Sequence, residues 1–148
     1  MVPQRIERSI LIDAPVEVVW SVVTEPEHIS GWFSDIADLD LRPGGGMVLR
    51  WNEHGTVHGQ VERVEPPHFF SFRWVVEHDL ELVDANATLV EFSVDAEGDA
   101  TRLTVVETGF RNLAGTDDER RRHFDSHTRG WARELGQLEE YLGERSHR

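Results

Sequence analysis

The sequence predicts an α+β protein in which an antiparallel sheet curves around one long C-terminal helix, in the order β-α-α-β6-α. A strand followed by two short helical segments opens the chain. Residues 34–110 then alternate repeatedly between apolar and polar positions, with turn residues between the runs. The last segment has apolar residues at helical spacing and is the longest element available to cover the inner face of the sheet.

The opening stretch "RIERSILIDAP" predicts a strand whose inward side carries three isoleucines, Ile6, Ile10 and Ile12. Asp13 is a candidate N-cap for the helix in "PVEVVWSVVT", and Pro15 suits its first turn. A second short helix is expected to restart at Pro26 in "EPEHISGWF" and to end at Gly31.

Six further strands are predicted in the middle of the chain. They are "SDIADLDL", "MVLRWNE", "TVHGQVERVEPP", "HFFSFRWVVE", "ATLVEFSVDAEG" and "ATRLTVVETGF". Gly-rich and Pro-containing turns separate most of these runs. Strict alternation gives each strand an inward face, and on the last strand this face carries Leu103, Val105 and Glu107.

The last helix has a recognisable start. Thr116 is followed three residues later by Glu119, which is the spacing of a capping box. Its apolar residues recur at intervals of 3, 4 and 7, so one face should bear Phe124, Trp131, Leu135, Leu138 and Leu142.

Size and composition narrow the function classes. With 148 residues the chain is expected to form one domain, residues 1–148. The net charge of −13 disfavours nucleic acid and anionic membranes as partners, and no apolar run approaches the roughly 20 residues of a membrane span. Cysteine is absent, which excludes disulfides and thiolate chemistry. The first residues lack the pattern of a secretory signal, so a cytoplasmic location is expected.

Several stretches together resemble a known superfamily. "ILIDAPVEVVWSVVTEPEHISGWF" is similar to the opening of START-like (SRPBCC) proteins. "LRPGGGMVLRW", "GQVERVEPPHFFSFRW", "ATRLTVVETGF" and "GWARELGQLEEYL" resemble, in order and spacing, the bacterial activator of Hsp90 ATPase homologue-like domains. The resemblance runs from about Ile6 to Leu142. It implies the helix-grip fold, a seven-stranded antiparallel sheet around the last helix, often with an apolar cavity between sheet and helix.

The aromatic residues that should face this grip either fill a core or line a cavity. With the resemblance favouring a cavity, the residues expected to contact a small hydrophobic ligand are Trp32, Trp51, Phe72, Trp74, Phe92, Phe110, Trp131, Leu135 and Leu138. No cofactor is expected. His123 and His127 are four residues apart on the last helix, but spacing fixes no third ligand, so no metal site is expected.

Glu107 is the candidate catalytic residue, either as a base with a raised pKa or as a group that orients a ligand hydroxyl. The alternatives are a wet strand end, or an ion pair with Arg129 or Arg133. His127 lies beside the apolar stripe and can reach the rim of a cavity, whereas His123 should be solvated.

Three functions follow as hypotheses. The first is binding of a small hydrophobic or amphipathic ligand between sheet and helix. The second is a polyketide cyclase-like or hydrolase-like enzyme with Glu107 as the base, aided by His127. The third, implied by the family name, is a chaperone-associated interaction domain. A homodimer through edge strands or the short helices is compatible with all three.

Overall fold

The computed structural model describes residues 2–146, with side chains to residue 143. The strands are β1 (Arg5–Ile12), β2 (Ile36–Leu39), β3 (Gly46–Trp51), β4 (Gly55–Glu65), β5 (Phe69–Val75), β6 (Ala87–Glu97) and β7 (Ala100–Thr108). The α-helices are α1 (Val16–Thr24), α2 (Pro26–Trp32) and α3 (Asp117–Ser146). The predicted order of elements is confirmed.

The seven strands form one sheet in the order β1-β7-β6-β5-β4-β3-β2, and every neighbouring pair is antiparallel. A register shift between Val61 and Arg63 interrupts the pairing of β4 with β5, and such bulges bend a strand and increase its twist. The curved sheet faces α3, which confirms the helix-grip fold class.

The alternation predicted for the strands sets the core. Val90, Phe92 and Val94 of β6 are buried, and on β7 Leu103, Val105 and Glu107 are completely buried. The apolar stripe of α3 covers them through Trp131, Leu135, Leu138 and Leu142. One member of this inner face is therefore a carboxylate within an otherwise apolar layer.

The start of α3 is fixed by the predicted capping box. The Thr116 hydroxyl accepts a hydrogen bond from the Glu119 N–H at 3.1 Å, and the Glu119 carboxylate accepts one from the Thr116 N–H at 3.2 Å. The Arg120 guanidinium also donates to the Leu113 carbonyl at 2.7 Å. These bonds anchor the helix to the chain that leaves β7, so its register over the sheet is set from its first turn.

Two predictions about the short helices are wrong. Asp13 does not cap α1, because Pro15 occupies the N-cap position and no side chain makes the capping bond. Gly31 does not end α2, because the helix continues to Trp32 and the N–H of Phe33 still donates to the Ile29 carbonyl at 2.8 Å. Phe33 follows the helix directly, and its ring lies against Trp51 of β3.

Among the described residues, no helix is both long and apolar enough to cross a membrane.

Candidate functional site

A cleft of about 300 Å³ lies between α3, the ends of β4 and β5, and the residue that follows α2, and it is partly open to solvent. Its volume is at the lower end of the range of small-molecule sites. It is lined by Phe33, Trp51, His54, Val57, Trp74, Val75, Val76, His78, Ser126, His127, Gly130, Trp131, Arg133 and Glu134.

Four aromatic rings form the wall of the cleft. The Phe33 ring is nearly parallel to Trp74 and to Trp131, at centroid distances of 5.8 and 5.6 Å. Trp74 and Trp131 are themselves 5.7 Å apart with an interplanar angle of 23°. Trp51 meets Phe33 edge-on at 5.3 Å and donates its indole N–H to the Phe33 carbonyl at 2.9 Å. Such a wall offers ring faces and edges to a planar ligand. We call Phe33, Trp51, Trp74 and Trp131 the aromatic wall.

Two imidazoles stand at the mouth of the cleft. The His54 and His78 rings are 6.1 Å apart. Asp79 connects the loop after β5, which bears His78, to the start of β4 beside His54, since its N–H donates to the Thr56 carbonyl at 2.7 Å and its carboxylate accepts from the Thr56 N–H at 3.1 Å. Burial, together with the neighbouring His54, lowers the pKa of His78.

Glu107 lies beneath the wall and receives hydrogen bonds from four side chains. The Trp131 indole donates to Oε1 at 2.8 Å, and the Trp74 indole and the Thr88 hydroxyl donate to Oε2 at 2.9 and 2.5 Å. The His127 Nδ1 is 2.9 and 2.8 Å from the two oxygens. Because an ionised carboxylate only accepts, His127 carries its proton on Nδ1.

The Glu107–His127 contact is a buried ion pair. Burial alone raises the pKa of the Glu107 carboxyl, but the charge and hydrogen bond of His127, with the Thr88 and Trp74 bonds, lower it below its usual value. Burial lowers the pKa of His127, but the Glu107 charge and hydrogen bond outweigh it and raise that pKa overall. The carboxylate and the imidazolium therefore stabilise one another's charged forms.

His127 has a second ring nitrogen, Nε2, which takes no part in the ion pair with Glu107. The ring lines the cleft, its side chain is 15% exposed, and Nε2 makes no hydrogen bond with any described residue. Trp74 and Phe110 meet the ring edge-on at 5.8 and 5.5 Å and so limit its rotation. The cleft is thus lined by a fixed imidazole whose pKa is raised, and in its protonated form Nε2 is a charged N–H donor.

Glu134 is a second carboxyl on the cleft. It is only 6% exposed, yet its partners are a guanidinium and an amide at the surface. The Arg133 Nε donates to Oε1 at 3.2 Å, and the Gln137 amide, turned so that its nitrogen meets acceptors, donates to Oε2 at 3.0 Å. Burial raises the pKa of Glu134, against a smaller opposing effect of Arg133.

The structure separates the predicted ligand-contacting residues into three groups. Trp51, Trp74 and Trp131 line the cleft. Trp32, Phe72 and Phe92 border a separate void of only about 20 Å³. Phe110, Leu135 and Leu138 belong to the packed core. The interior is therefore filled over most of its length and open at one end.

The pKa of Glu107 is lowered rather than raised as expected for a base, and neither of the two structural alternatives foreseen for Glu107, a wet strand end or an ion pair with Arg129 or Arg133, matches the structure. Its strand end is not wet, because the residue is completely buried. Its ionic partner is His127 rather than an arginine, and Arg133 bonds to Glu134 instead. His123 is also not freely solvated, since its side chain is 22% exposed and lies 3.4 Å from Glu77.

Sequence reasoning missed His54, His78 and Glu134. A signal for Glu134 was present, because it falls three residues after Trp131 and four before Leu138, on the apolar stripe of α3. The two histidines had no such signal, since the loop contact through Asp79 brings them together. Within the part of the chain that the structure describes, no three His, Asp or Glu side chains form a group that could hold a metal ion.

The curved sheet, the covering helix and the cleft at one end of their interface define a START-like domain. The chain belongs to the family described as "Activator of Hsp90 ATPase homolog 1-like protein", whose model matches residues 13–143. No curated protein sequence matches it.

Three solved structures illustrate the likeness of fold. MLL2253 from Mesorhizobium loti is 20% identical, with a TM-score of 0.78, over 95% of this chain and 98% of that one. CalU16 from Micromonospora echinospora is 27% identical, with a TM-score of 0.70, over 93% and 75%. The Aha1 dimer from Colwellia psychrerythraea is 20% identical, with a TM-score of 0.72, over 96% of each chain.

Proposed function

We propose that the protein binds a small planar molecule in the cleft. The molecule stacks on the aromatic wall, and one of its oxygen atoms accepts a hydrogen bond from Nε2 of His127. The observation that carries the proposal is an imidazole, held by Glu107 and favoured in its charged form, beside four aromatic rings in one cleft of about 300 Å³. Ligand sites are typically apolar clefts with a few well-placed polar groups.

The ligand's chemistry follows from the two kinds of contact. Ring stacking adds about 0.5–1.5 kcal/mol per aromatic pair beyond burial of area. A hydrogen bond to a charged donor is worth about 1.5–3 kcal/mol. An aromatic body with a carboxylate, phenolate or carbonyl oxygen uses both. Glu107 acts in this proposal by fixing the tautomer and charge of His127, because all its bonds are to protein side chains.

The test uses 2-naphthoic acid and isothermal titration calorimetry at neutral pH. We expect saturable binding to the wild type, and binding about tenfold to a hundredfold weaker in His127→Asn, as the loss of a charged hydrogen bond implies. His58→Asn, an exposed histidine on β4, is the matched control and should bind as the wild type does.

Trp51→Ala provides a variant that leaves the buried ion pair intact, because Trp51 contacts Phe33 and His78 at the rim. It should weaken 2-naphthoic acid binding while circular dichroism stays unchanged. The absence of saturable binding by the wild type contradicts the proposal. Equal affinity in folded His127→Asn contradicts the role given to His127.

The Glu107–His127 pair also favours a second candidate, catalysis of proton transfer next to a carbonyl. In this reaction the imidazolium N–H donates to the carbonyl oxygen and stabilises the enolate while a solvent base removes the α proton. Deuterium from solvent then replaces that proton. The probe is 2-tetralone in heavy water, followed by NMR. Exchange no faster than in His127→Asn excludes this activity for the cleft.

Three further expectations from the sequence, which concern the number of domains, a homodimer and a chaperone partner, remain predictions. A single domain over 1–148 predicts one cooperative unfolding transition. A homodimer, the state in which the Colwellia protein is described, predicts twice the monomer mass by light scattering. A chaperone-linked role, suggested by the family description, predicts a change in the ATPase rate of an Hsp90 on addition of the protein.

A further inference from the structure

Glu134 has no place in the binding mode proposed above, although it is buried and lines the same cleft. Its two partners lie at the surface: the Arg133 side chain is 67% exposed, and Gln137 is exposed. Neither partner requires a buried carboxyl at this position. A carboxyl oxygen accepts two hydrogen bonds, so each oxygen of Glu134 retains acceptor capacity beyond its one described donor.

The helix sets the distance between Glu134 and His127. Seven residues separate them, which is roughly 10 Å along the axis and within about 20° of the same face. Trp131 lies between them and turns its ring into the aromatic wall. The cleft is therefore polar at two ends of one helical face and aromatic in the middle.

The two ends have opposite hydrogen-bonding character. At the His127 end the free group is an N–H donor. At the Glu134 end it is a carboxyl with acceptor capacity that its described donors leave unused. Buried Glu107 differs from Glu134 in having four donors from the protein interior. The two carboxyls therefore differ in that Glu107 has its acceptors filled by protein donors, whereas Glu134 lines the cleft and keeps unused acceptor capacity.

We infer that the ligand is two-ended: a flat fused-ring molecule with an acceptor oxygen at the His127 end and a hydroxyl at the opposite end, received by Glu134. This inference rests on the proposed function and adds the class of ligand to it. The hydroxyl donates to the Glu134 carboxyl, while the rings lie on Trp131. Simple hydroxylated naphthoic acids have this arrangement and serve as probes.

Glu134 also has a competing structural explanation. Through Gln137, whose nitrogen also donates to the Trp32 carbonyl at 2.8 Å, it connects α3 with the end of α2. A purely structural role predicts that Glu134 affects stability but does not distinguish between ligands. Ligand discrimination is therefore the readout that separates the two explanations.

The experiment compares 2-naphthoic acid, 6-hydroxy-2-naphthoic acid and 6-methoxy-2-naphthoic acid by calorimetry. In the wild type the hydroxyl should strengthen binding about two- to tenfold, the range of one net hydrogen bond. The methoxy compound has no donor and should bind no better than 2-naphthoic acid.

Glu134→Leu then removes the acceptor. We expect the hydroxyl advantage to disappear while the affinity for 2-naphthoic acid stays within about twofold. The substitution places an apolar residue on an apolar stripe and leaves only surface groups without their partner, so the fold should survive. Glu139→Leu, on the exposed side of α3, is the matched control and should keep the hydroxyl advantage.

The outcomes separate the two proposals. If the wild type shows no hydroxyl advantage, or if Glu134→Leu keeps it, the two-ended ligand is overturned and the binding cleft stands. If the methoxy compound gains as much as the hydroxy compound, contact area explains the gain and Glu134 has no role in it. If none of the three acids binds to the wild type, both proposals fail.

Discussion

Glu107→Gln is the sharpest perturbation of the interior, because it keeps the shape of the side chain and removes its charge. Glu107 accepts hydrogen bonds from Trp74, Thr88, His127 and Trp131. An amide has one oxygen with two acceptor sites, and its nitrogen is a donor. With the amide oxygen placed toward Trp74 and Thr88, its N–H₂ group faces the Trp131 indole, and donor meets donor.

The expected cost follows from these contacts. One indole N–H is left buried without an acceptor, which costs about 1–3 kcal/mol. The imidazolium also loses its counterion in a site that is almost fully enclosed. Removing one member of a buried ion pair typically costs about 3–5 kcal/mol in total. At about 2–4 °C per kcal/mol for a chain near this length, the melting temperature should fall by roughly 6–20 °C.

Urea unfolding at neutral pH measures this cost, with circular dichroism and tryptophan fluorescence as independent probes. A slope of about 1–3 kcal/mol per molar urea places the midpoint of Glu107→Gln at least about 1 M below the wild type. Glu139→Gln makes the same chemical change on an exposed side chain of α3 and should leave the midpoint unchanged. A loss below about 1 kcal/mol in Glu107→Gln refutes the ion-pair interpretation, because it means that the four donors find other acceptors.

Three further predictions concern the same helix. Because the pKa of His127 is raised above 6.5, the contribution of His127 to stability is fully present just below that pH and is lost as the pH rises through the raised pKa of the folded protein. The urea midpoint should therefore fall with rising pH above 6.5 more steeply in the wild type than in His127→Asn. Trp131→Phe keeps a ring in the wall but removes the donor to Glu107, so calorimetric melting should show a loss of about 1–3 kcal/mol. Thr116→Ala removes the cap of α3 and should lower the free energy of unfolding in urea by about 1 kcal/mol. Thr104→Ala on β7, whose side chain makes no capping bond, is the control. An unchanged urea midpoint in Thr116→Ala would show that the capping box is dispensable.

Local pattern predicted the parts of this structure that depend on neighbours in the chain. Alternation on β7 turned Glu107 inward, and the spacing of Thr116 and Glu119 indicated the start of α3. In both cases a periodic rule acts on a few adjacent residues, so one sequence is enough to apply it.

The composition of the site depends on contacts that no period encodes. Trp74 and Glu107 are 33 residues apart, and Trp131 is 24 residues beyond Glu107. Their meeting follows from the order of strands in the sheet and the register of α3. Glu107 was therefore correctly predicted to face inward, while its partners could be read only from the fold.

The extent of the cleft could not be predicted from the sequence either. Phe72 and Phe92 have the same inward orientation as Trp74, but their rings lie 6.1 Å apart and fill the space between sheet and helix. Side-chain volumes and sheet curvature together determine the point at which a row of aromatic residues no longer fills the interior. A set of inward residues therefore overestimates the ligand-contacting set.

The indole bonds to Glu107 have a consequence for selectivity. Trp74 and Trp131 are both attached, through their ring nitrogens, to the same carboxylate, so neither ring can rotate without breaking a buried bond. The surface they form is already rigid in the absence of ligand, so little side-chain entropy is lost when a ligand binds. Such a surface cannot remodel itself around a branched or bulky compound. It should discriminate by flatness, accepting sheet-like molecules and rejecting puckered ones of equal hydrophobicity.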